Sequence, residues 1–182
     1  FNQKDQSFAG SLLRMNVFSL GIMVVILLAG VYWGISSIVP WAGLKLIKPT
    51  TETELGEKMY QSMMQGETID KERTKLLQEF ARSMQLSNNY PIKLTVVKNK
   101  EVNAYAIPGG NIVVYSGIIK AMKSPDELAA LLGHETAHIN ERHSLRSILR
   151  SAATGLIVSV VLNDISGVFS IVVENAEGLR TM

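Results

Sequence analysis

Three side chains in this sequence have the types and the spacing to do chemistry together: His134, Glu135 and His138, in the stretch Gly133-His-Glu-Thr-Ala-His138. On a helix turning about 100° per residue, His134 and His138 point about 40° apart, one turn along the same face, so two imidazoles can hold one metal ion. Glu135 falls about 60° from His138, too far round to join the pair as a third ligand. It is close enough to reach a water held by the metal. Zinc lowers the pKa of such a water to about 7, and a carboxylate beside it can take the proton as the oxygen attacks a carbonyl. A His-Glu-x-x-His pattern on a helix is the arrangement used for metal-assisted peptide hydrolysis. The chain has three histidines and no cysteine. A thiolate site and a disulfide framework are therefore excluded, and a metal must be held by imidazoles and carboxylates.

The third histidine, His143, reads as structural. On a continuous helix it points about 180° from His134, while Arg142, about 80° round, stands nearer the site as a candidate support. The helix that must carry these residues has clear starting signals. Ser124 can cap it, Pro125 suits its first position, Glu127 completes a capping box, and Leu128, Leu131 and Leu132 mark one apolar face. With no glycine to interrupt it, the helix is expected to run on through Leu145, Ile148 and Leu149.

Upstream, Ile92 to Lys98, Val102 to Ile107 and Ile112 to Ser116 read as strands. They are separated by Asn99-Lys100 and Pro108-Gly-Gly110, which predicts a small antiparallel sheet just before the metal helix. Two helical patterns precede it, one from Thr51 with Leu55, Met59 and Met63 on one face, the other from about Ile69 to Leu86. The methionines read as core packing. Downstream, Ala152 to Leu162 and Ile165 to Val173 form two apolar blocks split by Asn163-Asp164. Each is too short to span a bilayer, and they suit a buried helical hairpin or a membrane-dipping segment.

No residue from Met15 to Leu44 is charged. The apolar run from Val17 to about Val39 is long enough to cross the hydrocarbon layer, with Tyr32, Trp33 and Trp41 toward its C-terminal end as interface anchors. The predicted organisation is a polar segment (1–15), a transmembrane anchor (16–39), a linker marked by Pro40 and Lys48-Pro49 (40–50), and a zinc-binding domain (51–182). The class is α+β, with a small antiparallel sheet and a long His-Glu-x-x-His helix behind a membrane anchor. Lys4 and Arg14 on one side balance Lys45 and Lys48 on the other, so charge does not choose an orientation. A net charge of +2 over 182 residues, with no basic run, argues against a nucleic-acid partner. The chain starts at Phe1 and stops at Met182 just after an apolar stretch, and is expected to be part of a longer protein.

The stretch His134-Glu-Thr-Ala-His-Ile-Asn-Glu-Arg-His143 resembles the extended motif of the HtpX-type zinc metallopeptidases, His-Glu-x-x-His gluzincins related to the CAAX prenyl endopeptidases and BepA. Asn103-Ala-Tyr-Ala-Ile-Pro-Gly-Gly-Asn-Ile-Val-Val-Tyr-Ser-Gly117 resembles that family's second signature, so the likeness covers about residues 51 to 182. The resemblance implies one zinc ion per chain, peptide substrates, and Asn103, Ala104 and Tyr105 as an edge that holds substrate above the metal. An ordinary hairpin is the other reading of that edge. The family's third ligand is a glutamate in a Glu-x-Glu-Ala-Asp-like segment, and none is present here. Glu174 is the candidate within the chain, and a glutamate beyond Met182 is expected instead. The resemblance also implies a catalytic part outside the cytoplasm, as in singly anchored relatives.

The expected function is a membrane-anchored zinc endopeptidase for unfolded or membrane-associated proteins, a role in protein quality control. A zinc-binding, chaperone-like assembly factor is the alternative, against which the intact Glu135 speaks. A prenyl-protein protease is set aside because that branch has many spans and one is evident here.

Overall fold

The computed structural model describes residues 16–162. Its first helix, α1 (Val17–Leu46), is capped by the Asn16 side chain. It is long and apolar enough to cross a membrane by length and composition, and its most apolar stretch lies outside any packed core. Phe18 is 81% exposed and Trp33 73%. The anchor predicted to end at Val39 continues through Pro40. That proline removes one main-chain donor, yet the helix persists and the connection expected over 40–50 shrinks to Ile47 and Lys48.

Next come α2 (Pro49–Met63) and α3 (Lys71–Ala81), the latter capped by the Asp70 carboxylate. The second helical pattern is thus shorter than 69–86, because Asp70 caps the helix and Ile69 bridges to Val97 beside the sheet. The strands are β1 (Lys93–Val97), β2 (Ala104–Ile107) and β3 (Asn111–Tyr115), in the order β1-β3-β2. β2 pairs antiparallel to β3, whereas β1 pairs parallel to it, so the sheet is mixed rather than antiparallel throughout. The chain leaves β1, passes the position beside it and returns as β3 in the middle. A short helix, α4 (Ser116–Ala121), follows directly where the third strand was expected to end.

Period-two alternation divides the sheet between two apolar layers. Leu94, Val96, Ala104, Ala106, Ile112 and Val114 face Leu77 of α3 and Leu132 and Ile139 of α5 (Pro125–Asn140). Val97, Tyr105, Ile107, Val113 and Tyr115 face Met59, Tyr60, Met63 and Met64 at the end of α2, so the methionines there are core, as predicted. The Pro108-Gly-Gly110 turn is packed against α2, where a Cβ at Gly56 would stand 1.7 Å from the Pro108 carbonyl oxygen. Gly109, at φ 78°, takes the conformation that such a turn requires.

The last helix, α6 (His143–Leu162), packs along α1, with Leu149 against Gly43. The block from Ala152 to Leu162 therefore continues a helix begun at His143, which packs against α1 and α5. The second apolar block, the Asn163-Asp164 turn and Glu174 lie outside the described residues.

Candidate metal centre

The Ser124 hydroxyl accepts from the Glu127 N–H and the Glu127 carboxylate accepts from the Lys123 N–H, so α5 starts as its sequence predicts. Leu132 and Ile139 bury one face against the sheet. That seating turns Glu135 inward, at 7% exposure, and leaves His134 exposed and His138 half-buried.

The two predicted ligands come together. His134 Nε2 and His138 Nε2 lie 3.1 Å apart. Two nitrogens on one tetrahedral zinc, each about 2.0 Å from it, stand about 3.3 Å apart, so this pair fits the ion without rearrangement. Among the described residues no third histidine or carboxylate completes a set of three. Burial raises the Glu135 carboxyl above its ordinary 4.5, and the His134 charge opposes it. Burial, then the charges of His134 and His143, push His138 below its ordinary 6.5, which favours the neutral imidazole that a metal needs.

His143 and Arg142 stand differently from expectation. The helix does not continue: α5 ends at Asn140, and Arg142 takes the left-handed conformation at φ 54°. This is the position after a helix end that glycine usually fills, and an arginine there gives no sequence signal. The break swings His143 back, so that its Nδ1 stands 3.1 Å from His138 Nδ1 rather than pointing away. It meets the nitrogen of His138 opposite the one that faces His134, and so is not a ligand of the same ion.

Arg142, expected beside the metal, directs its guanidinium elsewhere. Nε donates to Glu52 Oε2 at 2.7 Å, and the two terminal nitrogens donate to the Leu44 and Ile47 carbonyls at 2.6 and 2.8 Å. Tyr90 donates its hydroxyl to the same Glu52 oxygen at 2.9 Å. Sequence reasoning missed Glu52 and Tyr90, and a partner 90 residues away leaves no local pattern to find.

Of the predicted substrate edge, Asn103 accepts at its carbonyl from the Tyr115 N–H and Tyr105 pairs with Val113. Bonded pairs alternate along an antiparallel ladder, so Asn103 and Tyr105 turn their main chains to β3, and Ala104 and Ala106 turn theirs to the open side. Ser144 Oγ already donates to the Ala106 carbonyl at 2.9 Å. Ala104 is thus the one residue of the three whose main chain is turned away from β3. A separate groove of about 960 Å³ between α3, β1 and the 82–92 loop is not lined by the His134–Glu135–His138 group.

Comparison with known proteins meets this geometry. The model of peptidase family M48 matches residues 68–180, more than half of the chain. The mitochondrial metalloendopeptidase OMA1 of Schizosaccharomyces pombe is 40% identical over 80 residues, which are 43% of this chain and 24% of that protein. The β-barrel assembly-enhancing protease of Escherichia coli K12 is 33% identical over 58 residues, 32% of this chain and 12% of that protein. The metalloprotease YcaL of the same strain is 36% identical over 66 residues, 36% and 26% respectively. The chain spans about a quarter or less of the length of these curated relatives.

Proposed function

Because the chain belongs to peptidase family M48, we propose that it is the anchor and catalytic helix of a membrane-bound zinc endopeptidase that cuts unfolded or membrane-associated proteins. The observation that carries this reading is the 3.1 Å approach of the two Nε2 atoms beside a carboxylate on the same helix that is buried and has no partner among the described residues. His134 and His138 would hold the ion, with a third ligand outside the described residues and Glu174 as the candidate within this chain. Zinc, when bound, supplies Lewis acidity that brings the pKa of water to about 7.

The chain's own residues do the rest. Glu135 serves as the general base, and its raised proton affinity suits a group that must first accept and then return a proton near neutral pH. Ala104 on β2 offers main-chain hydrogen bonds to an extended peptide, a mode that holds a substrate with little regard for its side chains. The packing along α1 of α6, which follows the catalytic helix α5 directly after the Arg142 break, supports substrates drawn from the membrane surface.

The test is cleavage of an unfolded protein such as casein by the purified chain, with zinc content measured beside it. Chelation should abolish cleavage and added zinc restore it. Glu135→Gln should keep zinc and lose cleavage; a Glu135→Gln chain that cuts at the original rate refutes the assignment of the base.

A further inference from the structure

Beyond the two ligands and the base, the helix break at Arg142 places one more imidazole where it can act on the metal. We propose that His143 is a positioning residue for His138: it accepts the His138 Nδ1–H and so holds Nε2 free and aimed at the ion. The inference rests on the zinc reading given above. A metal-ligating histidine must keep its coordinating nitrogen unprotonated, and the partner of its other nitrogen sets tautomer and ring orientation. At 3.1 Å from His138 Nδ1, the His143 Nδ1 is the hydrogen-bonding group that the structure gives to that nitrogen. The rings meet edge to face, at an interplanar angle of 71° with centroids 5.0 Å apart, so that they do not stack.

His143 is exposed, so burial does not fix its ring. Its neighbours supply the fixing. On one side Arg142 is clamped by Glu52 and by the carbonyls of Leu44 and Ile47, in a backbone conformation that few non-glycine residues adopt. On the other, Ser144 donates to the Ala106 carbonyl and Leu145 is 1% exposed. A residue held between two such anchors keeps its ring against His138. The segment thereby links the end of the membrane anchor, the metal ligand and the edge strand in three consecutive residues.

The experiment measures zinc affinity by competition with a chromogenic chelator, for the unaltered chain, His143→Leu and His143→Asn. Asn Oδ1 lies near the place of Nδ1 and accepts a hydrogen bond; a Leu methyl fills that place and cannot accept one. Loss of an outer hydrogen bond to a ligand costs about 10–100-fold in metal affinity. His143→Leu should show that loss, His143→Asn should regain most of it, and thermal melting of both metal-free variants should match the original chain. In the zinc-loaded protein, nitrogen-edited NMR should show a hydrogen-bonded Nδ1–H on His138 that disappears in His143→Leu.

Zinc affinity within twofold of the original in His143→Leu, or equal loss in both variants, overturns the positioning role and leaves the metal site standing. An original chain that binds no zinc overturns the metal reading, and the positioning role with it.

Discussion

Among the described residues two glutamates are buried, one bonded to the arginine of the helix break and one on the helix before it, and their surroundings differ. Glu52 is 1% exposed and meets the Arg142 guanidinium and the Tyr90 hydroxyl. Glu135 is 7% exposed and has no hydrogen bond or ion pair among the described residues, so that burial raises its proton affinity. A buried carboxylate with a cation beside it serves as a joint, whereas the raised proton affinity of the other suits the base proposed for it. The same Glu→Gln change should therefore have opposite consequences at the two sites. At Glu135 it should lower cleavage by about 10²–10⁴-fold, the contribution of a positioned acid–base group. The melting temperature should hold or rise, because a buried carboxylate with no partner among the described residues has been made neutral. Hydrolysis of an unfolded protein and a thermal melt, run on one preparation, decide it.

At Glu52 the loss should fall on stability. Removing one partner of a buried ion pair leaves the other uncompensated and costs about 3–5 kcal/mol. For a domain of this size that lowers the melting temperature by on the order of 10 °C. A Glu52→Gln chain that melts like the original would mean that Arg142 finds enough in the two carbonyls, and the contrast between the carboxylates would dissolve. The contrast sharpens at Arg142 itself. Both Arg142→Gly and Arg142→Ala remove the clamp, but only glycine takes φ 54° at little cost. The alanine variant should be the less stable of the two by about 1–2 kcal/mol in denaturant unfolding. Equal stabilities would mean that the junction relaxes out of the left-handed region once the guanidinium is gone.

How far these features can be read from the chain depends on how local their causes are. Ser124, Pro125 and Glu127 announce the start of α5 within four residues, and the histidine spacing is fixed by the helix repeat. The methionines of α2 follow the same periodicity into the core. The end of α5 is not legible, because the left-handed position carries an arginine where a glycine would have signalled the stop. Its conformation is held by Glu52, Leu44 and Ile47, about ninety residues away. The parallel pairing of β1 with β3 is hidden for a related reason: three short strands with turns between them suit a meander, and no local signal puts the last strand at the centre. Pro40 misleads in the other direction, since it marks a break by local rule but lies within α1.

The smallest effect tests the Glu52 side of the contrast from its other donor. Burial first, then the hydrogen bond to Glu52 and that carboxylate's charge, push the Tyr90 hydroxyl from 10.0 up to about 12, with Arg142 opposing. The neutral phenol is thus favoured in the folded state, whereas the unfolded chain ionises near 10. Between those values the folded state binds more protons than the unfolded one, so stability falls as pH rises. Tyr90's contribution is fully present below pH 10 and is lost as pH passes through about 12. Tyr90→Phe should cost about 1 kcal/mol at neutral pH, the worth of one hydrogen bond, and this cost should fade across that window. Urea unfolding of both chains from pH 8 to 12 reads it directly. Curves that stay parallel throughout would mean that Tyr90 gives no proton to Glu52, leaving Arg142 as the one group that distinguishes the paired carboxylate from the waiting one.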